Sequence, residues 1–338
     1  MIIVMRKSAS DDQIKAIINE INEKGLKPMP LYGTERTVIA VIGDERILDP
    51  QHIKSLPGVS QAMMVLPPYK MVSRETKHED TIVTVKGDIE IGGNKIQMMA
   101  GPCAVENYKF TKEAAQACSA VGCRILRGGA FKPRTGPYSF QGLGEEGLKI
   151  LKQIGEEENM AVVTEILDIR DIDLVAKYAD ILQIGARNMQ NFNLLEEVGK
   201  IKKPILLKRG LSAKIKEWLL AAEYILSNGN PNVILCERGI RTFETETRCT
   251  LALSSVPLIK ELSHLPIIVD PSHATGKPSL IPPMTKAAIA CGADGIIVEV
   301  HPKPDEALCD GQQALIPEQF SKLIDELKPV AQAVGRTM

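Results

Sequence analysis

AVVTEILDIRDIDLVAKYADILQIGARNMQNFNLLEEVGKIKKPILLKR, residues 161–209, decides the fold. Three short apolar runs, AVVTEI, ILQIG and PILLKR, alternate here with two helical stretches. Runs that stay apolar without alternation fit strands of a parallel sheet whose two faces are both covered by helices. Outward from this stretch the same unit recurs, as IQMMAG at 96 and CRILRG at 123 upstream, and NVILCER at 232, PIIVDP at 266 and GIIVEV at 295 downstream. Eight strands joined by helical connections predict an α/β fold, a (β/α)8 TIM barrel over residues 81–338. An open doubly wound sheet is the alternative. Ahead of the first barrel strand, Thr81–Val85 and Glu90–Ile91 form a hairpin placed to plug one barrel end, and the Gly92-Gly93-Asn94 turn leads from it into the barrel.

The N-terminal part reads differently. Residues 2–5 are a strand, and Ser10-Asp11-Asp12 caps a helix whose Ile14, Ile17, Ile18 and Ile21 share one face before Gly25 ends it. A run near Gly33, the strand Thr37–Ile42, a short helix at Pro50–Leu56 and a strand at Gln61–Leu66 complete a βαββαβ order. That order predicts a small α+β ferredoxin-like domain over residues 1–70. Pro67-Pro68-Tyr69 and the polar run from Ser73 to Asp80 read as a linker, residues 71–80.

A length of 338 residues suits such a barrel plus a small module, and 44% hydrophobic residues, 25% charged residues and a net charge of -1 describe a soluble globular protein. No basic field is present to hold nucleic acid or anionic lipid. The first residues lack a signal-peptide core and no apolar run reaches the ~20 residues of a membrane span, so a cytoplasmic location is expected. The seven cysteines are an odd number without a secretion signal, which points to reduced thiols available as metal ligands.

The chemistry-bearing residues fall just after the strands, at the face where such barrels work. Arg127, Lys132, Arg134, Arg187, Lys208 and Arg238 follow four different strands or lie in the loops after them. Any one could be a solvated rim charge, but together they call for anions such as a phosphate with a carboxylate, or two phosphates. Cys103, His273, Glu299 and Asp310 supply one thiolate, one imidazole and two carboxylates. That mixture suits a borderline divalent metal (Mn, Fe, Co, Cu or Zn) better than magnesium. Strand alternation turns Glu299 inward with Ile297. His301, two residues on, is the rival ligand.

Seven motifs carry a resemblance: AGPCAVE (100–106), RGGAFKPRTGPYSFQGLG (127–144), GARNMQNF (185–192), LLKRG (206–210), CERGIRTFE (236–244), DPSHATG (270–276) and EVHPKPDEALCDGQQ (299–313). Through nearly all of residues 81–338 the sequence resembles the 3-deoxy-D-arabino-heptulosonate 7-phosphate (DAHP) synthases, which open the shikimate pathway. It is similar to the subgroup related to 3-deoxy-octulosonate 8-phosphate synthase that carries an N-terminal ferredoxin-like domain.

The resemblance implies condensation of phosphoenolpyruvate with erythrose 4-phosphate, and it implies roles residue by residue. Cys103, His273, Glu299 and Asp310 would bind the metal. Arg127, Lys132, Arg187, Lys208 and Arg238 would hold phosphoenolpyruvate, and Asp270 would join this substrate shell. Lys132-Pro133-Arg134-Thr135 would receive erythrose 4-phosphate, with Arg134 on its phosphate. Lys132, His273 and Glu299 are the catalytic candidates. Cys309 departs from the pattern, where a serine is expected, and bears on which side chain completes the metal shell. The resemblance further implies feedback inhibition by tyrosine or phenylalanine bound at the N-terminal domain, and a homotetramer. The rival within the class is the octulosonate synthase acting on arabinose 5-phosphate; Lys-Pro-Arg-Thr favours the shorter aldose. A non-catalytic amino-acid sensor would have lost some of these positions, and a phosphosugar aldolase or isomerase would not need so many cations.

Overall fold

The computed structural model describes residues 1–33, 36–66 and 68–338, and divides into two compact units, Met1–Lys70 and Met71–Met338. Pro67, read as the start of the linker, lies outside the described residues. No described helix is long and apolar enough to cross a membrane.

In the first unit the order is β1 (Ile2–Met5), α1 (Asp11–Glu23), β2 (Lys27–Tyr32), β3 (Thr37–Ile42), α2 (Pro50–Ser55) and β4 (Val59–Met63). The sheet runs β2-β3-β1-β4, with antiparallel pairing throughout. Ser10 caps α1 in a reciprocal box with Gln13, which satisfies two end donors at once. Ile14, Ile17 and Ile21 of α1 pack with Ile3, Met5, Ile39 and Val41 into the unit's core. The last strand starts and stops earlier than its sequence suggests. The amides of Val65 and Leu66 donate to the buried Glu45 carboxylate at 2.5 and 2.8 Å, which removes them from any ladder.

In the second unit, β5 (Val83–Val85) and β6 (Ile89–Ile91) form the hairpin. The barrel strands follow: β7 (Gln97–Gly101), β8 (Ile125–Arg127), β9 (Ala161–Ile166), β10 (Ile181–Ile184), β11 (Ile205–Lys208), β12 (Val233–Glu237), β13 (Ile267–Val269) and β14 (Gly295–Glu299). All pairings are parallel, and β14 closes on β7 with Glu299 opposite Gly101. Between them run α3 (Tyr108–Ala120), α4 (Glu145–Glu157), α5 (Ile172–Tyr178), α6 (Phe192–Gly199), α7 (Ile215–Ser227), α8 (Ser255–Leu262), α9 (Pro271–Thr275) and α10 (Ile281–Ala290); α11 (Pro317–Ala333) ends the fold. Val83, Val85, Ile89 and Ile91 share one buried cluster with Ile125, Ala161 and Ile181, which open their strands. The hairpin therefore plugs the N-terminal end and leaves the C-terminal mouth for chemistry.

Residues 71–80 are no free linker. Val72 and Ser73 are buried, Met71 and Val72 amides donate to Glu223 of α7 at 2.8 and 2.9 Å, and the Arg74 amide donates to Leu262 O at 3.0 Å. Their polar composition reflects backbone and side-chain bonding to the barrel rather than solvation.

Candidate active site

Local backbone demands place the first ligands. Gly101 ends β7 at φ +150°, and a Cβ there would sit 2.2 Å from Arg127 O on the neighbouring strand. Only glycine allows this approach, which turns Pro102 and Cys103 into the mouth. The Arg127 guanidinium donates from Nη1 to Pro102 O at 2.9 Å and to Glu299 Oε1 at 3.0 Å, tying three strand ends together. Across the mouth, Asp270 caps the short helix α9 by accepting from the His273 amide at 2.9 Å. Its second oxygen receives Lys208 Nζ at 2.5 Å and lies 2.8 Å from His273 Nδ1, an ionic approach too bent for a formed hydrogen bond.

The four metal-ligand types come together: among the described residues, Cys103, His273, Glu299 and Asp310 each present one ligand atom, all within 4.8 Å of one another. His273 Nε2 stands 3.1 Å from Glu299 Oε1, and Cys103 Sγ 3.5 Å from Asp310 Oδ2. Burial, reinforced by the Cys103 thiol, pushes the Glu299 carboxyl up to about 7, against the pull of His273 and Arg127. A buried acid whose burial outweighs the cations around it fits a site able to take a further cation. The Cys103 thiol is raised by its bond to Cys309 and by burial, and burial lowers His273. The donor set fits a borderline divalent ion, with His273 offering Nε2 while Asp270 holds the other edge of the ring.

Cys309 sits beside this set but outside it. Its Sγ is 3.6 Å from Cys103 Sγ and receives Arg134 Nη1. The bond from Cys103 draws its thiol down to about 7, with help from Lys132 and Arg134. The rival ligand His301 also stays out: its Nδ1 accepts from the Lys303 amide at 3.0 Å, its Nε2 lies 3.5 Å from Glu106 Oε2, and its ring meets Phe110 edge-on.

Next to the ligand cluster opens a cavity of about 270 Å³. Arg127, Lys132, Pro133, Arg134, Thr135, Arg187, Lys208 and Arg238 all line it, together with His273 and Asp310. Lys132 Nζ reaches Cys103 O at 3.0 Å and Cys103 Sγ at 3.1 Å, so it stands between cations and ligands. Burial works against its charge, but the Cys103 and Cys309 thiols outweigh that and raise its pKa. Asp270 differs from expectation. It does not line the cavity; it is 1% exposed beneath Lys208 and His273, where it sets their positions.

Other contributors escaped the strand-end reading. Arg248 and Gln183 line the cavity, and Gln313, buried, donates to Glu299 Oε2 at 2.6 Å. Arg248 stands ten residues past Arg238 in a polar loop, where no strand marks it, and Gln313 lies in a quoted motif whose glutamine carries no charge to draw notice. Glu237 is saturated by Arg209, Ser255 Oγ and the Gly239 amide at 2.7, 2.8 and 2.7 Å, a buried brace under Arg238.

Comparison with known proteins bears on this arrangement. The model of the DAHP synthetase I family matches residues 79–334, and that of the DAHP synthase ferredoxin-like domain residues 1–67. A phospho-2-dehydro-3-deoxyheptonate aldolase of Thermotoga maritima is 50% identical over 335 residues, 99% of each chain. The crystal structure of such an aldolase from that organism superposes with a TM-score of 0.93, at 50% identity, covering 99% of this chain and 98% of the other. A 2-dehydro-3-deoxyphosphooctonate aldolase of Syntrophotalea carbinolica is more distant, 30% identical over 262 residues, 72% of this chain and 94% of its own. Matched along both of its units, and with the cation cavity and ligand cluster in one barrel mouth, the chain belongs to the DAHP synthetase I family.

Proposed function

We propose that the chain condenses phosphoenolpyruvate with erythrose 4-phosphate and water, giving DAHP and inorganic phosphate. The observation that carries this is the meeting, in one barrel mouth, of a cavity lined by cations from four strand ends with a cluster of one thiol, one imidazole and two carboxylates. Arg127, Lys132, Arg187, Lys208 and Arg238 bind the phosphate and carboxylate of phosphoenolpyruvate, because fixed forks and ammonium groups in a partly dry pocket hold anions in one orientation. Lys132-Pro133-Arg134-Thr135 receives the aldose phosphate, with Arg134 on its phosphate group. Holding the two reactants side by side removes much of the entropic barrier to joining them.

Cys103, His273, Glu299 and Asp310 hold a divalent ion, of Mn, Fe, Co, Zn or Cu, which when bound supplies Lewis-acid polarisation of the aldehyde oxygen. Carbon–carbon bond formation between C3 of phosphoenolpyruvate and the aldehyde carbon leaves an alkoxide, which Lys132 protonates. Positive character at C2 is captured by water, whose proton His273 or Glu299 accepts, and the hemiketal then expels phosphate. The 1–70 domain binds tyrosine or phenylalanine as a feedback inhibitor, and the protein works as a homotetramer in the cytoplasm.

The test incubates EDTA-stripped protein with both substrates, with and without manganese, and follows phosphate release. Manganese-dependent release with erythrose 4-phosphate is expected; release with arabinose 5-phosphate alone would refute the substrate assignment. Inhibition by tyrosine or phenylalanine that survives deletion of residues 1–70 would remove the regulatory reading.

A further inference from the structure

The two carboxylates of the ligand cluster are joined by a chain of contacts that the reaction itself does not require. Gln313 is fully buried, and its amide has one allowed orientation. Glu299 Oε2 can only accept, so Nε2 of Gln313 donates to it at 2.6 Å; Arg248 can only donate, so Oε1 of Gln313 accepts from Nη1 at 2.7 Å. The same Nη1 lies 3.3 Å from Asp310 Oδ2. The ring closes through the backbone, where the Gln313 amide donates to Asp310 O at 3.1 Å.

Arg248 is itself anchored, its amide donating to Thr275 O at 3.1 Å at the end of the helix that carries His273. Asp310 needs such an anchor: it is one of three non-glycine described residues at positive φ, at +51°, and it sits on a loop after β14. A side chain held in a disfavoured backbone state keeps its aim only if its surroundings fix it.

We propose that Gln313 and Arg248 are positioning residues for the divalent ion, setting the spacing between the Glu299 and Asp310 carboxylates. Neither offers a ligand to the ion; they act through the two that do. Glutamine suits the position because one head must donate to a carboxylate and accept from a guanidinium at once. A glutamate there would need a proton to do both, and a methionine could do neither. The inference rests on the metal reading above.

The experiment titrates EDTA-stripped wild-type protein and the variants Gln313→Met, Arg248→Met and the double variant with manganese alone, reading free Mn²⁺ by its spin-resonance signal. Each single substitution is expected to weaken binding by about 10- to 100-fold, as loss of outer partners does at such sites. The double variant is expected to be little worse than the weaker single one, because both cut the same chain. At saturating manganese the KM of Gln313→Met for phosphoenolpyruvate should stay within about twofold of wild type, which general damage to the mouth would not allow; Arg248 lines the cavity, so its variant is read by manganese affinity alone. Wild-type-like manganese affinity in either single variant, or fully additive losses in the double, would overturn the inference. Arg248, on a partly exposed loop, keeps the test decisive if Gln313→Met does not fold. If wild-type protein binds no manganese at all, it is the metal reading that fails first, and this inference with it.

Discussion

Replacing Asp270 with asparagine tests the idea that this acid organises the mouth from below. Asparagine caps a helix about as well as aspartate, so the bond to the His273 amide survives and the cap contributes little to the difference. What is lost is the charge between Lys208 Nζ, at 2.5 Å, and His273 Nδ1, at 2.8 Å. Lys208 and Asp270 are 4% and 1% exposed, so the ammonium would be left buried without its partner. Breaking a buried pair in this way costs roughly 3–5 kcal/mol, far more than an exposed pair would. The carboxyl is held well below its usual range because His273 and Lys208 together outweigh burial. Its stabilising contribution is therefore full at neutral pH and is lost only as pH falls through that depressed value. Urea unfolding in EDTA at pH 7 should show the loss directly. Manganese titration should show a second effect, a roughly 10- to 100-fold weaker site, because the ring of His273 loses the partner that orients it. A variant that unfolds within ~1 kcal/mol of wild type and binds manganese within about twofold would refute the reasoning.

Gly101→Ala should fail to fold or lose several kcal/mol, measured by denaturant unfolding, since its Cβ meets backbone 2.2 Å away and its φ of +150° is glycine's. Gly185→Ala has the opposite signature: the new Cβ would lie 1.9 Å from Glu165 Oε1, the free end of a side chain that can swing aside. Stability should change by less than ~1 kcal/mol while turnover falls, because Glu165 borders the cavity. Glu299, at about 7 when folded against 4.5, binds its proton more tightly in the fold, so its contribution to stability is greatest below pH 4.5 and declines as pH rises to 7. In EDTA, wild type relative to Glu299→Gln should lose about 3 kcal/mol between pH 4.5 and 8. Manganese affinity runs the other way, weakening about fivefold on this group's account from pH 7 to 6, since the ion must displace the proton.

The barrel was legible because burial on both faces writes strands as unbroken apolar runs, and all eight structural strands fall inside the runs read from sequence. The edges were not. Strand β4 shifts because Glu45, some twenty residues away, takes the amides of Val65 and Leu66. The polar run from Ser73 to Asp80 looks solvated, yet Arg74 donates to Lys260 O and Thr81 meets His264 Nδ1 at 2.7 Å, partners nearly two hundred residues off. Within the site, Arg127, Lys208 and Glu299 end their strands and Cys103, Lys132, Arg187, Arg238 and His273 stand within five residues of one, so position alone singled them out. Arg248 and Gln313 lie on longer loops, and their value depends on which carboxylates they bridge in space. Asp270 was found but given a substrate contact, since sequence shows its strand end and not the lysine above it.

Strand order divides the mouth by charge. The ligand types follow β13, β14 and β7, which are neighbours only because the last strand pairs with the first. The cations follow β8, β10, β11 and β12. Two buried ion pairs stitch the halves together, Arg127 to Glu299 at one seam and Lys208 to Asp270 at the other. Cys103 and Asp310, 207 positions apart, can therefore share an ion only after the barrel closes. Binding that requires the closed state stabilises it by mass action, about 2.7 kcal/mol at a hundredfold excess over Kd. An ion held by these four groups would thus also act as a clasp on the β14–β7 seam, and its removal should lower the unfolding temperature of the barrel.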